Sequence, residues 1–191
     1  MSERSPLDLH EIGHLQEIAV REGVHLGPLA NRHAASLLAV IDKDASIRHR
    51  VSVAARLHSV TDVEAEIQAI AKDPSLLRYV IEVDSKVVGM VSFWRDEGFF
   101  GQPPEPNGYG FGFFLDPDWR GKGLVGSAVR MLMQEARTVL DVDCFLAFCE
   151  DDNMASIAVI KGLGFVATDE RYGEPVTGWQ ERKYKLVIPS V

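Results

Sequence analysis

Five residues in the stretch DPDWRGKGLVGSAVRML (116–132) are of types that bind anions: Arg120, Gly121, Lys122, Gly123 and Gly126. They stand between an aromatic, strand-like segment, YGFGFFL (109–115), and a long apolar-periodic segment that begins at Leu124. A helix N-terminus carries unpaired backbone N–H groups and a partial positive charge, so it stabilises a negative group. Glycine keeps any Cβ away from an approaching phosphate oxygen and accepts positive φ at no steric cost. Arg120 and Lys122 add side chains able to make charge-assisted hydrogen bonds. A charged surface turn would use the same residue types, but a position between a strand and a long helix favours an anion cradle. The nucleotide-loop pattern G-x-x-x-x-G-K-[ST] is absent, and no G-x-G-x-x-G closes a first βα unit.

A second group of reactive residues follows the apolar segment CFLAFC (144–149). Glu150 and Asp151 offer carboxylates that could take a proton, although solvated acids before a helix cap are at least as ordinary there. Asn153 stands at the N-cap of NMASIAVIKGLG, with Ser156 in its first turn and Gly164 as its C-terminal stop. The six histidines all fall before residue 59, away from both groups, and none is given a role.

The elements that must position these residues can be traced from the start. LQEIAV (15–20) and VHLGPL (24–29) read as a hairpin, and Asn31 caps a helix over AASLLAVI. KDASIRHRVS (43–52) reads as a polar connection. A second helix spans SVTDVEAEIQAIAKDP, with Thr61 and Glu64 spaced as a capping box and Pro74 as its stop. RYVIEV, the turn DSK and VVGMVSFW form a second hairpin, and DEGFFGQPPEPNG (96–108) is a loop. Leu124, Ala128, Met131/Leu132, Glu135/Ala136 and Val139/Leu140 mark the turns of the longest helix; FVATDERY and QERKYKLVI close the chain as an antiparallel pair. Trp94, Phe93, Phe111, Phe113 and Phe114 read as core, while Phe99, Phe100 and Tyr109 border the loop where a substrate pocket or dimer contact could lie. The order implies a mixed α/β sandwich around one sheet.

Bulk properties narrow the function. A chain of 191 residues with 46% hydrophobic and 25% charged content can bury the core of a single domain. A net charge of −8 argues against nucleic-acid binding, which needs a basic surface. No stretch resembles a secretory signal or a membrane span. Cys144 and Cys149 lie an odd number of residues apart on one strand, so they face opposite ways and cannot pair; unpaired thiols suit a cytoplasmic protein.

The loop resembles the acyl-CoA loop of the GNAT superfamily of N-acetyltransferases. That signature, Q/R-x-x-G-x-G/A, follows a strand ending in V-x-P. Leu115-Asp116-Pro117 stands for V-x-P and Arg120-Gly121-Lys122-Gly123-Leu124 matches the loop, with Val125 where Gly or Ala is usual and Gly126 next. That departure, the N-x-x-S of Asn153 to Ser156, the L-G-F at 163–165 and the opening VHLGPLANRHAASLLAVID look like the RimJ/RimL-type branch. The similarity covers about residues 10–187 of a single 1–191 domain.

The resemblance implies a GNAT-like acyl-CoA N-acyltransferase fold, α/β (α+β), with a mixed, mostly antiparallel twisted sheet flanked by helices. It implies acetyl-CoA as co-substrate, no metal, and a primary amine acceptor on a peptide N-terminus or small molecule, in a monomer or homodimer. Backbone groups of Phe113, Phe114 and Leu115 would hold the pantetheine arm, residues Arg120, Gly121, Lys122, Gly123, Leu124, Val125 and Gly126 the pyrophosphate, and Asn153 the pantetheine near the splay between the strands at 109–115 and 144–149. Many relatives protonate the leaving thiolate with a tyrosine seven residues after the asparagine. Ile160 stands there; the resemblance to the RimJ/RimL-type branch, where the serine of N-x-x-S is the proposed acid, implies that role for Ser156, while Glu150, or its neighbour Asp151, is the candidate base by position. A non-catalytic acyl-CoA-binding module is the alternative.

Overall fold

One mixed sheet frames the computed structural model, which describes residues 9, 18–98, 103–173, 178 and 180–189. In chain order its strands are β1 (Ile18–Arg21), β2 (Val24–Pro28), β3 (Leu76–Val83), β4 (Lys86–Arg95), β5 (Gly108–Leu115), β6 (Cys144–Cys149), β7 (Val166–Gly173) and β8 (Gln180–Val187). The helices are α1 (Ala34–Asp42), α2 (Ala45–Arg50), α3 (Val60–Ile70), α4 (Leu124–Val139) and α5 (Met154–Gly162). The strands lie in the order β1-β2-β3-β4-β5-β6-β8-β7. Every pairing is antiparallel except β5 with β6, whose parallel connection runs through α4. Among the described residues no helix is long and apolar enough to cross a membrane.

Two apolar layers sandwich this sheet. On one face α4 buries Leu124, Val125, Ala128, Val129, Leu132, Met133 and Ala136, a stripe at helical spacing, against Val91, Phe93, Phe111 and Phe145. On the other, Leu37, Val40 and Ile41 of α1, Ile47 of α2 and Val63 of α3 cover Val80, Val87, Met90 and Phe114. Each fully buried aliphatic side chain stabilises the fold by about 1.5–3 kcal/mol, so both helical layers are held firmly to the strands between them. Cys144 and Cys149 are buried and free, as their odd spacing requires.

The segment from Asn31 to Asp62 departs from the sequence reading in three places. Asn31 does not cap α1: residues Asn31–His33 form a 3-10 turn, and the His33 ring accepts the Ala30 N–H at 3.1 Å. The stretch read as a polar connection contains α2, capped by Asp44, whose carboxylate accepts the Ser46 N–H at 2.9 Å. The cap of α3 is Ser59 rather than Thr61. The Ser59 hydroxyl accepts the Asp62 N–H at 3.1 Å, and the Asp62 carboxylate accepts the His58 N–H at 2.9 Å. Both misread helices start with a side chain whose backbone partner lies two or three residues on, a local contest that spacing alone decides poorly. The expected strand start at 15–17, and Phe99 and Phe100, lie outside the described residues.

Candidate active site

The site begins where two strands part. β5 and β6 are in parallel register only from Gly108–Cys144 to Phe111–Ala147. Beyond that point β5 continues through Gly112, Phe113, Phe114 and Leu115, and β6 through Phe148 and Cys149, without pairing. β5 stays paired to β4 along this run, so its backbone groups on the β6 side face an opening wedge. Such an edge accepts an extended chain as a strand would.

At the outer end of the wedge the chain turns into α4. The cap of α4 is Gly123, at φ +73° and with no capping side chain, and Gly121 lies at φ +75°. A Cβ built at Gly121, Gly123 or Gly126 meets nothing within 4 Å, so the backbone there is open to an approaching group. Leu124 and Val125 point into the core and anchor the first turn. The N–H groups of this turn therefore fit a phosphate-bearing ligand.

The two cations of the loop are partly engaged. Arg120 donates to the Leu115 carbonyl at 3.2 Å and to Asp44, the cap of α2, at 2.6 Å. Lys122 lies over the Trp119 ring, 4.3 Å from its centre, and the Lys122 carbonyl accepts from Arg21 at 3.0 Å. Lys43, just past α1, pairs with Asp118 and, at 2.8 Å, with the buried Asp116. Burial opposes charge on Asp116, but the Lys43 ammonium and the Asp118 N–H outweigh it and hold its carboxyl below the usual range.

At the inner end, Asn153 caps α5, its side-chain oxygen accepting the Ser156 N–H at 3.2 Å. Its amide nitrogen is left to donate outward. The Ser156 hydroxyl contacts the Cys149 thiol, which burial pushes up to about 12 and so keeps neutral. The two acidic candidates separate cleanly. Asp151 is exposed and held by Arg171 at 2.5 Å and Arg182 at 2.8 Å. Glu150 is buried, and its carboxylate accepts from Arg50 of α2 at 2.7 Å.

Glu150, Asn153, Ser156 and Ile160 line one cavity of about 450 Å³ between the parted strands and the α2–α3 segment. Its floor is β4 and β5. Trp94 lies over Gly110 and Gly112, and a Cβ at Gly110 would overlap the indole. The glycine alternation of YGFGFFL is thus a seat for Trp94, which is half-buried and lines the cavity instead of filling the core. Phe93, Phe111 and Phe114 are core as expected, whereas Phe113 is half-buried and lines the cavity, and Tyr109, expected at the loop, is buried in the core against Phe93. Arg50, Trp94 and the buried Ser92 and Arg78 were not legible as site residues. The D-x-S cap of Asp44 and Ser46 was the available signal for α2, but nothing local joins Arg50 to a residue 100 positions away.

A parted parallel pair, an open, glycine-capped helix terminus that follows one strand and a buried carboxylate that follows the other make up the candidate site. A sequence model of the acetyltransferase (GNAT) family matches residues 46–165, and the chain belongs to that family, whose donor is acetyl-CoA and which needs no metal. No curated protein matches the chain at a significant level. Solved structures similar to it include the RimL ribosomal L7/L12 α-N-protein acetyltransferase in complex with coenzyme A (20% identity over 91% of this chain and 98% of that one, TM-score 0.76). The microcin C7 self-immunity acetyltransferase MccE, with acetyl-CoA and AMP, is similar at 22% identity, 91% and 97% coverage and TM-score 0.77. Mycobacterium smegmatis RimJ is similar at 18% identity, 86% and 81% coverage and TM-score 0.71. At these identities the likeness establishes the shared fold, which is the one the resemblance implied.

Proposed function

We propose that the chain is a single-domain, RimJ/RimL-type N-acetyltransferase that acetylates the α-amine of a peptide or a small amine in a ternary complex. One observation carries the reading: the unpaired β5 edge, which runs on to the open α4 terminus, lines at 112–114 the same cavity as Glu150, Asn153 and Ser156. One strand edge thus joins a place for a phosphate to a place for a thioester.

Acetyl-CoA supplies the thioester. Backbone N–H groups of residues 121–126 bind the pyrophosphate, the Phe113–Leu115 edge the pantetheine arm, and the Asn153 amide the end near the carbonyl. Glu150 takes a proton from the acceptor amine as its nitrogen bonds to the acetyl carbon. As the carbon–sulfur bond breaks, the Ser156 hydroxyl donates a hydrogen bond to the departing sulfur. An α-amine, with an ordinary pKa near 8, needs far less help to become neutral than a lysine near 10.4, which suits a site with one buried carboxylate. A cavity of about 450 Å³ lined by charges of both signs admits a terminal residue or a small polar molecule. The likeness to RimL, an enzyme named for protein α-amines, supports the same acceptor class.

The test is thiol release from acetyl-CoA across peptides with different N-terminal residues, the same peptides Nα-blocked, and small amines. Release with free α-amines and none from blocked, lysine-containing peptides is the expected result. Binding of acetyl-CoA with no release on any amine would replace the reading with a non-catalytic acyl-CoA-binding module.

A further inference from the structure

Arg50 joins two parts of the molecule that the chain places 100 residues apart. It is the last residue of α2, and its Nη1 donates to Glu150 Oε2 at 2.7 Å and to Asp152 Oδ1 at 2.7 Å, while Nη2 donates to Asp152 Oδ2 at 3.2 Å. The two-pronged grip on Asp152 fixes the plane of the guanidinium. With that plane fixed, the remaining contact holds Oε2 of Glu150, a residue that lines the cavity. The helix that carries Arg50 is itself tied at its other end, where Asp44 caps it and pairs with Arg120. We propose that Arg50 is a positioning residue for acetyl transfer, holding the Glu150 carboxylate ionised and aimed at the acceptor amine. This rests on the reading of Glu150 as the base.

The groups around Glu150 set the direction of the effect. Burial is the largest influence and pushes its carboxyl above the usual glutamate range; Arg50 and then His49, both from α2, pull it back, and Asp152 pushes it up. Cys149 on β6 is neutral, and Glu181 on β8, which lines the same cavity, adds only negative charge. Without Arg50, burial and the neighbouring carboxylates act against His49 alone. Glu150 then keeps its proton to a higher pH, and the basic form becomes scarcer at neutrality.

The experiment is the pH dependence of kcat/KM for the full chain and for Arg50→Gln, Arg50→Lys and Glu150→Gln, with acetyl-CoA affinity measured alongside. Glu150→Gln should abolish the acidic limb of the profile. Arg50→Gln should move that limb upward by about one unit, with roughly tenfold lower kcat/KM at pH values on the acidic limb, recovery above it, and acetyl-CoA affinity within about twofold. Arg50→Lys, which keeps the charge without the fork, should leave the limb near its original place while kcat stays low. A rate loss in Arg50→Gln with the limb unmoved would reduce Arg50 to a structural tie and overturn the inference. A limb that persists unchanged in Glu150→Gln overturns the reading of Glu150 itself. If Arg50→Gln does not fold, Arg50→Met, which keeps the aliphatic stem, takes its place: an upward-shifted limb there upholds the inference, and an unmoved limb overturns it.

Discussion

The two ends of the site are built by opposite means. The proposed donor end is backbone: glycines at positive φ, open N–H groups at the start of α4, and a strand edge without a partner. Its side chains mostly face elsewhere, with Leu124 and Val125 in the core and Arg120 engaged with Asp44 and the Leu115 carbonyl. The proposed acceptor end is side chain: Trp94 seated on two glycines, Glu150 held by Arg50, and Ser92 and Arg78 buried beneath. Backbone recognition of a diphosphate tolerates changes in neighbouring side chains. Side-chain recognition of an amine acceptor changes with each one. The donor can therefore stay constant while the acceptor varies over the same fold.

The sharpest way to break this contrast is at Gly123. A Gly123→Asp substitution places a side chain at φ +73° and a negative charge where the backbone meets an anion. It forfeits more than one charge-assisted hydrogen bond of about 1.5–3 kcal/mol, so acetyl-CoA binding should weaken by 100-fold or more in calorimetry while the circular dichroism spectrum is kept. Affinity within threefold of the unaltered chain would remove the loop from the donor end.

The contrast also explains what could be read from the sequence. The loop 120–126, the helix stripe of α4, the cap and stop of α5 and the two hairpins were legible because each is encoded within a few residues. Glu150 was legible only as one of two neighbours; its separation from Asp151 depends on Arg50, Arg171 and Arg182, which arrive from distant elements. Helix α2 was missed because ASIRHR buries a single residue, Ile47, and so has no apolar period to detect. Trp94 was misassigned because an aromatic on a strand announces burial, whereas Gly110 and Gly112 on the adjacent strand make it a wall of the cavity. Local signals describe the donor end, and long-range pairings describe the acceptor end.

Gly110→Ala probes the acceptor wall without touching the donor loop. The added methyl must displace the Trp94 indole, an overpacking that costs about 2 kcal/mol. Thermal unfolding should begin several degrees lower, Trp94 emission should shift, and acetyl-CoA affinity should hold within about twofold. An unchanged melting temperature with unchanged emission would show that the indole does not rest on this glycine.

Ser156→Ala separates transfer from binding at the inner end. One hydrogen bond that strengthens on the departing sulfur is worth about 1–1.5 kcal/mol, so kcat should fall roughly tenfold while KM for acetyl-CoA is nearly constant. The Asn153 cap on the Ser156 N–H is untouched, so α5 keeps its first turn. An unaltered kcat would leave the thiolate to another donor.

The smallest effect is expected at Asp44, where the two ends meet. Its carboxyl caps α2 through the Ser46 N–H and pairs with Arg120. Asp44→Ala should cost about 1 kcal/mol, chiefly through the lost cap, and lower the melting temperature by about 2–4 °C. The Ser46 contacts, and then Arg120, hold the folded-state value below the ordinary 3.8 despite burial, so the ionised group stabilises the fold above that value. The deficit of the variant should therefore be full near neutrality and shrink as pH falls below 3.8 toward the folded-state value. Acetyl-CoA affinity should stay within about twofold, because the Arg120–Asp44 pair is half-exposed and worth little by itself. A tenfold loss of donor affinity would instead make Asp44 part of the pyrophosphate cradle. In that event α2 would belong to both ends, and donor binding would itself set the position of Arg50 over the acceptor cavity.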